Sequence, residues 1–160
     1  MRDILTKGLD MATQLGASYA DIRVTKRETE QITAKNGHIE NLTRGGNEGF
    51  GVRVLKNGAW GFAATPILQE GDLEKKIEAV VNKAVAIAQA ASRVNRSPVK
   101  LAPVESVRTT YITPTKIDPF AMPLEQKLQD LTEITKALAC LPEIRVTTAG
   151  LRLFKEQKTF

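Results

Sequence analysis

Gly49-Phe50-Gly51-Val52-Arg53-Val54-Leu55-Lys56-Asn57-Gly58-Ala59-Trp60-Gly61-Phe62-Ala63-Ala64-Thr65 reads as two strands joined at Asn57-Gly58. Asn-Gly favours a type I′ turn because both central residues need φ > 0, and that turn matches the twist of paired strands. Val52, Val54, Ala59 and Trp60 flank the turn, so one face of the hairpin can be apolar. Arg53 lies between Val52 and Val54 and therefore points to the face opposite theirs. It can snorkel or pair with a carboxylate, or it can line a peptide-binding groove. Trp60 divides the same way, between packing of its large apolar area and stacking on a substrate.

Upstream of this hairpin the period of the sequence changes twice. Leu5, Leu9, Ala12 and Leu15 share one helical face over residues 3–15, and Gly16 stands at the C-cap position. Ala20, Ile22 and Val24 then alternate with Asp21, Arg23 and Thr25, the pattern of a half-buried strand. The strand signal resumes over Gln31-Ile32-Thr33-Ala34, and Asn36-Gly37 marks a second hairpin, with Ile39 and Leu42 beyond it. Together these segments predict a meander of about four strands over residues 19–65.

Downstream, Asp72 is the expected N-cap of a long helix whose apolar stripe is Leu73, Ile77, Val80, Val81, Ala84, Ala88 and Ala91. The alanine-rich second half suits close packing on a sheet. Residues 94–123 carry Pro98, Pro103, Pro114, Pro119 and Pro123 with little periodicity and read as a proline-rich connector. Leu124, Leu128, Leu131, Ile134 and Leu138 mark another helix, with Pro123 accommodated at its first turn. From Ile144 onward the chain reads as strand again. The fold class expected is α+β: a mostly antiparallel sheet, the meander plus a C-terminal strand, with helices packed on one face.

The chain has 160 residues, with 42% hydrophobic and 26% charged, ordinary values for one globular domain. A chain of this size buries roughly 70% of the surface that its unfolded form exposes. The net charge of +5 invites a nucleic-acid reading, but basic and acidic residues are interspersed and aromatics are only 5%. With no run of like charge and no aromatic ladder, nucleic acid is not the expected partner. One cysteine, Cys140, precludes an internal disulfide framework and suits a reducing compartment. The start has no signal-peptide core and no run of about 18 apolar residues occurs, so a cytoplasmic location without a membrane partner is expected.

Candidate chemistry is sparse. A zinc site needs three or four converging ligands drawn from Cys, His and carboxylates, and this chain holds one histidine and one cysteine. Counting leaves an all-carboxylate site open, but no acidic cluster has cage-like spacing. His38-Ile39-Glu40 lacks the second histidine one helical turn on that a metalloprotease helix requires. His38 reads as an exposed residue after a turn, and Cys140 as a small core residue near a helix end. Gly45-Gly46-Asn47-Glu48-Gly49-Phe50-Gly51 leads into a strand without the Lys-Ser/Thr of a phosphate loop. Its glycines are better explained by a bulge or a close backbone approach. No catalytic or metal-binding residue is assigned.

Leu15-Gly16-Ala17-Ser18-Tyr19-Ala20-Asp21-Ile22-Arg23-Val24, the Asn36-Gly37 turn, Gly49–Leu55, Trp60–Thr65 and Ala84-Val85-Ala86-Ile87-Ala88 together resemble the TldD/PmbA family. These proteins were once called modulators of DNA gyrase and are understood as zinc metallopeptidases. The Gly-Ala-Trp-Gly-Phe-Ala-Ala form is more similar to the TldD branch. The resemblance is specific over about residues 14–92 and looser over 93–160, and it covers only the family's N-terminal portion. The family's His-Glu-x-x-x-His zinc motif lies in the later part of the chain, and none of its residues is present here.

What the resemblance implies is a single non-catalytic N-terminal domain, residues 1–160, of a longer zinc-dependent peptidase. Zinc would sit in the parent's C-terminal part, with no cofactor in this chain. The implied partners are a second copy or a TldD/PmbA-type heterodimer partner, and a peptide substrate, with Arg53 and Trp60 as substrate-channel candidates. The alternatives are a stand-alone module gripping extended peptides along a sheet edge, and a DNA- or gyrase-binding accessory protein.

Overall fold

The computed structural model describes residues 2–67, 73–105 and 107–160. The elements in chain order are α1 (Arg2–Gln14), β1 (Tyr19–Lys35), β2 (His38–Lys56), β3 (Ala59–Pro66), α2 (Leu73–Ser92), α3 (Leu124–Leu138) and β4 (Thr148–Thr159). The fold is α+β, with four strands in the spatial order β3-β2-β1-β4. The two strand signals before Asn36 belong to one continuous strand, β1, and residues 38–56 form a second of similar length. Asp72, the expected N-cap of α2, lies outside the described residues.

Both Asn-Gly turns form as their composition predicts. Asn36 and Gly37 have φ of 48° and 80°, and Asn57 and Gly58 have φ of 50° and 73°. These are the left-handed values that a two-residue type I′ loop demands. The register then follows from the turn: Lys56 pairs with Ala59, Leu55 with Trp60, Arg53 with Phe62 and Gly51 with Ala64. In β1 the buried residues are Ile22, Val24, Glu30, Ile32 and Ala34, all even-numbered positions of one strand. One face of the strand is therefore covered and the other is open, with the helices on the covered face.

The chain divides into two compact units. The first comprises Met1–Lys26, Asn47–Ser106 and Gln157–Phe160. Its core joins Ile22, Val24, Phe50, Val52, Val54 and Ala63 to the buried stripe of α2: Leu73, Ile77, Val80, Val81, Ala84, Val85 and Ala88. The helix comes so close to β3 that a Cβ at Gly61 would lie 2.0 Å from the Ala84 carbonyl oxygen. Helix α1 ends in a Schellman motif, with Gly16 (φ 83°) at the left-handed position. There the Ala17 N–H bonds to the Ala12 carbonyl at 3.0 Å and the Gly16 N–H to that of Thr13 at 2.9 Å. Lys56 Nζ adds a bond to the Leu15 carbonyl at 2.7 Å, placing a cation at the negative helix end.

The second unit comprises Arg27–Gly46 and Val107–Glu156. Its smaller core packs Ile32 and Ala34 against Leu131, with Leu124, Leu128, Ala149 and Leu151 around them. The Asn36-Gly37 turn is held by its neighbours. Gly37 N–H donates to Thr135 Oγ1 of α3 at 3.0 Å, and Asn36 Oδ1 accepts the Thr147 N–H at 2.8 Å. Cys140 corrects an expectation. It is exposed, just past the end of α3, because the helix stops at Leu138, before the cysteine is reached.

Candidate functional site

The open face of the first unit carries the two residues expected to meet substrate. Strand alternation puts Tyr19, Asp21 and Arg23 of β1, Arg53 of β2, and Trp60 and Phe62 of β3 on the side away from α2. Arg53 and Trp60 come together: the Arg53 guanidinium carbon lies 4.6 Å from the Trp60 ring centroid, within cation–π range. Tyr19 meets the same indole edge-on, with centroids 5.8 Å apart and planes at 89°. Arg53 also donates from Nε to Asp21 Oδ2 at 2.8 Å. The other Asp21 oxygen takes Arg23 Nε at 2.9 Å. Arg23 in turn lies 5.2 Å from the centroid of the Phe160 ring.

The electrostatics of this cluster run from Asp21 outward. Its hydrogen bond to Arg53 is the main cause raising the guanidinium above the ordinary arginine range, against the opposing effect of burial. Arg53 is thus a fixed, fully protonated cation, neutralised by a carboxylate and laid over an indole. Such a group binds and orients, and it has no proton to exchange near neutral pH. Next to this cluster, the same face is grooved over Gly49 and Gly51, with Phe62 and Pro66 along one side and Arg23 and Thr25 along the other. Phe62, 58% exposed, lies across Gly51, where a Cβ would come within 2.8 Å of its ring. The glycines are accounted for by that contact and by strand pairing. The glycine-rich run 45–51 lies wholly within β2 and leads into no helix N-terminus.

The remaining candidates stay apart. His38 is exposed at the head of β2, and Cys140 is exposed beyond α3. Among the described residues no three His, Cys, Asp or Glu side chains converge on a point that could hold a metal ion.

One polar cluster in the second unit was not anticipated. Glu30 and Lys127 are both 2% exposed, and Lys127 Nζ donates to Glu30 Oε1 at 2.8 Å. Arg44 Nε donates to the other carboxylate oxygen. The Phe120 ring centroid lies 6.0 Å from the Lys127 ammonium. The Lys127 hydrogen bond is the main cause holding the Glu30 carboxyl below the usual glutamate range, against the burial that would raise it. A signal existed in the sequence: Lys127 falls on the same helical face as Leu124, Leu131 and Thr135.

Comparison with known proteins places this architecture. Residues 20–88 match the family model described as PmbA/TldA metallopeptidase domain 1. A metalloprotease of Methanocaldococcus jannaschii is 31% identical over 118 residues, covering 74% of this chain and 25% of that protein. A metalloprotease of Synechocystis is 30% identical over 147 residues, covering 91% of this chain and 30% of that protein. The chain therefore spans between a quarter and a third of the length of these relatives. In structure, TldE from Thermococcus kodakarensis superposes with a TM-score of 0.66 at 11% identity, covering 98% of this chain and 34% of that one. A Thermotoga maritima protein named as a modulator of a DNA gyrase gives 0.61 at 16% identity, covering 99% and 34%. By family model, by sequence similarity and by fold, this chain matches the N-terminal domain of the TldD/PmbA metallopeptidase family.

Proposed function

We propose that this chain is the non-catalytic N-terminal part of a TldD/PmbA-type zinc-dependent peptidase, supplying dimer architecture and confinement of peptide substrates. The observation that carries this reading is the family match over residues 20–88, in a chain spanning only 25% of its Methanocaldococcus metalloprotease relative. The residues present do not fit a zinc ion, since no three potential ligands converge among those described. Hydrolysis is assigned to the rest of the parent, and no step of it is routed through this chain. Arg53 and Trp60 would flank the path of an extended peptide, the guanidinium offering donors to backbone carbonyls and the indole a flat apolar wall. The parent's partner would be a second copy or a TldD/PmbA-type companion, in the cytoplasm. Among the described residues no helix is long and apolar enough to cross a membrane.

Two measurements test the proposal. Metal analysis of the purified chain after zinc loading and gel filtration should find no stoichiometric zinc, and peptidase assays with unstructured peptides should find no turnover. Stoichiometric zinc or turnover would refute the non-catalytic assignment. Trp60 is the only tryptophan, so its fluorescence reports on the proposed path directly. Extended peptides should shift that emission in the wild type and not in Arg53→Ala; an unchanged spectrum at saturating peptide removes both residues from the path.

A further inference from the structure

Every residue that α3 contributes to the second unit's apolar core is a leucine. Leu131 is buried against Ile32 and Ala34, and Leu124 and Leu128 pack beside it. Ile134 and Leu138 extend the apolar series toward the helix end, both about half exposed. A helix presents nearly the same face again after four or seven residues, a slide of about 6 Å or about 10 Å along its axis. After a slide of seven, Leu131 stands where Leu124 was and Leu138 where Leu131 was, leucine for leucine. After a slide of four, Leu128 replaces Leu124. The apolar contacts alone therefore accept more than one docking position.

The buried polar contacts accept one. Lys127 Nζ meets Glu30 Oε1 at 2.8 Å with both side chains 2% exposed. Further along the same stripe, the fully buried Thr135 accepts the Gly37 N–H at 3.0 Å. After a slide of four, Leu131 would face Glu30, and Ala139, which has no hydroxyl, would face the Gly37 N–H. After seven, Ile134 and Pro142 would take those places. With a slide of four in the other direction, Pro123 would face Glu30 and Lys127 itself would enter the leucine core. Each displaced position leaves a buried carboxylate without its lysine and a peptide N–H without its acceptor. Arg44 does not discriminate between them. It reaches Glu30 from β2, 51% exposed, and so does not move with α3.

We propose that the Glu30–Lys127 pair is a register pin. It fixes the axial docking position of α3 on the sheet, a choice that the leucine stripe leaves open, and it contributes uniqueness of structure rather than net stability. With the position fixed, Thr135 closes the Asn36-Gly37 turn.

The test replaces the pair by apolar residues in the 160-residue chain, as Glu30→Leu/Lys127→Leu and, closer in shape, Glu30→Gln/Lys127→Met. Urea midpoints should stay at or near that of the wild type. Amide NMR spectra should nonetheless double for α3 and the Asn36-Gly37 turn, with a second set of peaks at about a tenth of the intensity or more. In that set the Gly37 amide should show nuclear Overhauser contacts to Ala139 or Leu131 in place of Thr135. The wild type should give one set. Leu131→Ala, which thins the core and keeps the pair, should lower the urea midpoint and still give one set, which separates register from general loosening. A single set in which Gly37 keeps its contact to Thr135 in both double variants overturns the proposal. So does failure of both double variants to fold, because the pair would then act through stability.

Discussion

Gly61→Ala should be the most damaging single-methyl change in the first unit. Gly61 has no left-handed φ, so alanine fits the backbone and would by itself stabilise by about 0.4–1 kcal/mol through the unfolded chain. The obstacle is space. The new Cβ would lie 2.0 Å from the Ala84 carbonyl oxygen, 2.6 Å from the Ala88 nitrogen and 2.9 Å from the Ala88 Cβ. Two of these atoms are helix backbone and cannot rotate away, so α2 must lift by more than an ångström. That lift would loosen Val81, Ala84 and Ala88, all fully buried against the sheet. Overpacking of this kind costs about 1–3 kcal/mol, and with rigid backbone as the obstacle the upper part of that range is expected. After the entropy gain a net loss of about 2 kcal/mol remains, or roughly 4–8 °C in melting temperature for a chain of this size. Urea titration followed by circular dichroism measures it, with Gly45→Ala as control, where the nearest atom to a Cβ is Thr29 Oγ1 at 3.6 Å. If Gly61→Ala matches that control, the packing of α2 on β3 described here is wrong.

Lys127→Met should destabilise by about 3 kcal/mol in urea titration, because it strands a buried carboxylate with Arg44 alone, whereas Glu30→Gln/Lys127→Met should recover most of the loss. The depressed Glu30 pKa makes stability pH-dependent: its contribution is present above the ordinary glutamate pKa of about 4.3 and disappears as pH falls through the folded value. The urea midpoint should fall as acidification crosses that window, and Glu30→Gln should lack that part of the fall. Arg53→Lys should cost about 1 kcal/mol and shift Trp60 emission, because an ammonium loses both the planar stack and the fork on Asp21. Ellman's reagent should label Cys140 in the folded protein as fast as in urea; protection of the thiol would contradict its exposed position.

What could be read in advance was whatever consecutive residues encode. The Asn36-Gly37 and Asn57-Gly58 turns are local demands for positive φ, and the alternation at Ile22 and Val24 and the stripe from Leu73 to Ala88 are local periods. Each survives folding because it concerns neighbours a few residues apart. The placement of Arg53 opposite Val52 and Val54 was legible for the same reason, and so was Gly16 at the end of α1. Cys140 was misread because its apolar neighbours Ala139 and Leu141 suggest a core, whereas the helix ends before it.

The amino-acid sequence alone thus determined the class of the fold, its two tight turns, its match to a metallopeptidase family and the scarcity of histidine and cysteine. Tertiary structure decided which distant residues share a face. It set Asp21 between Arg53 and Arg23, brought Lys127 across 97 positions to Glu30, placed β4 beside β1, and pressed α2 onto Gly61. Such contacts depend on how elements dock. A strand's period says that a face is buried, and only the packed structure says against what.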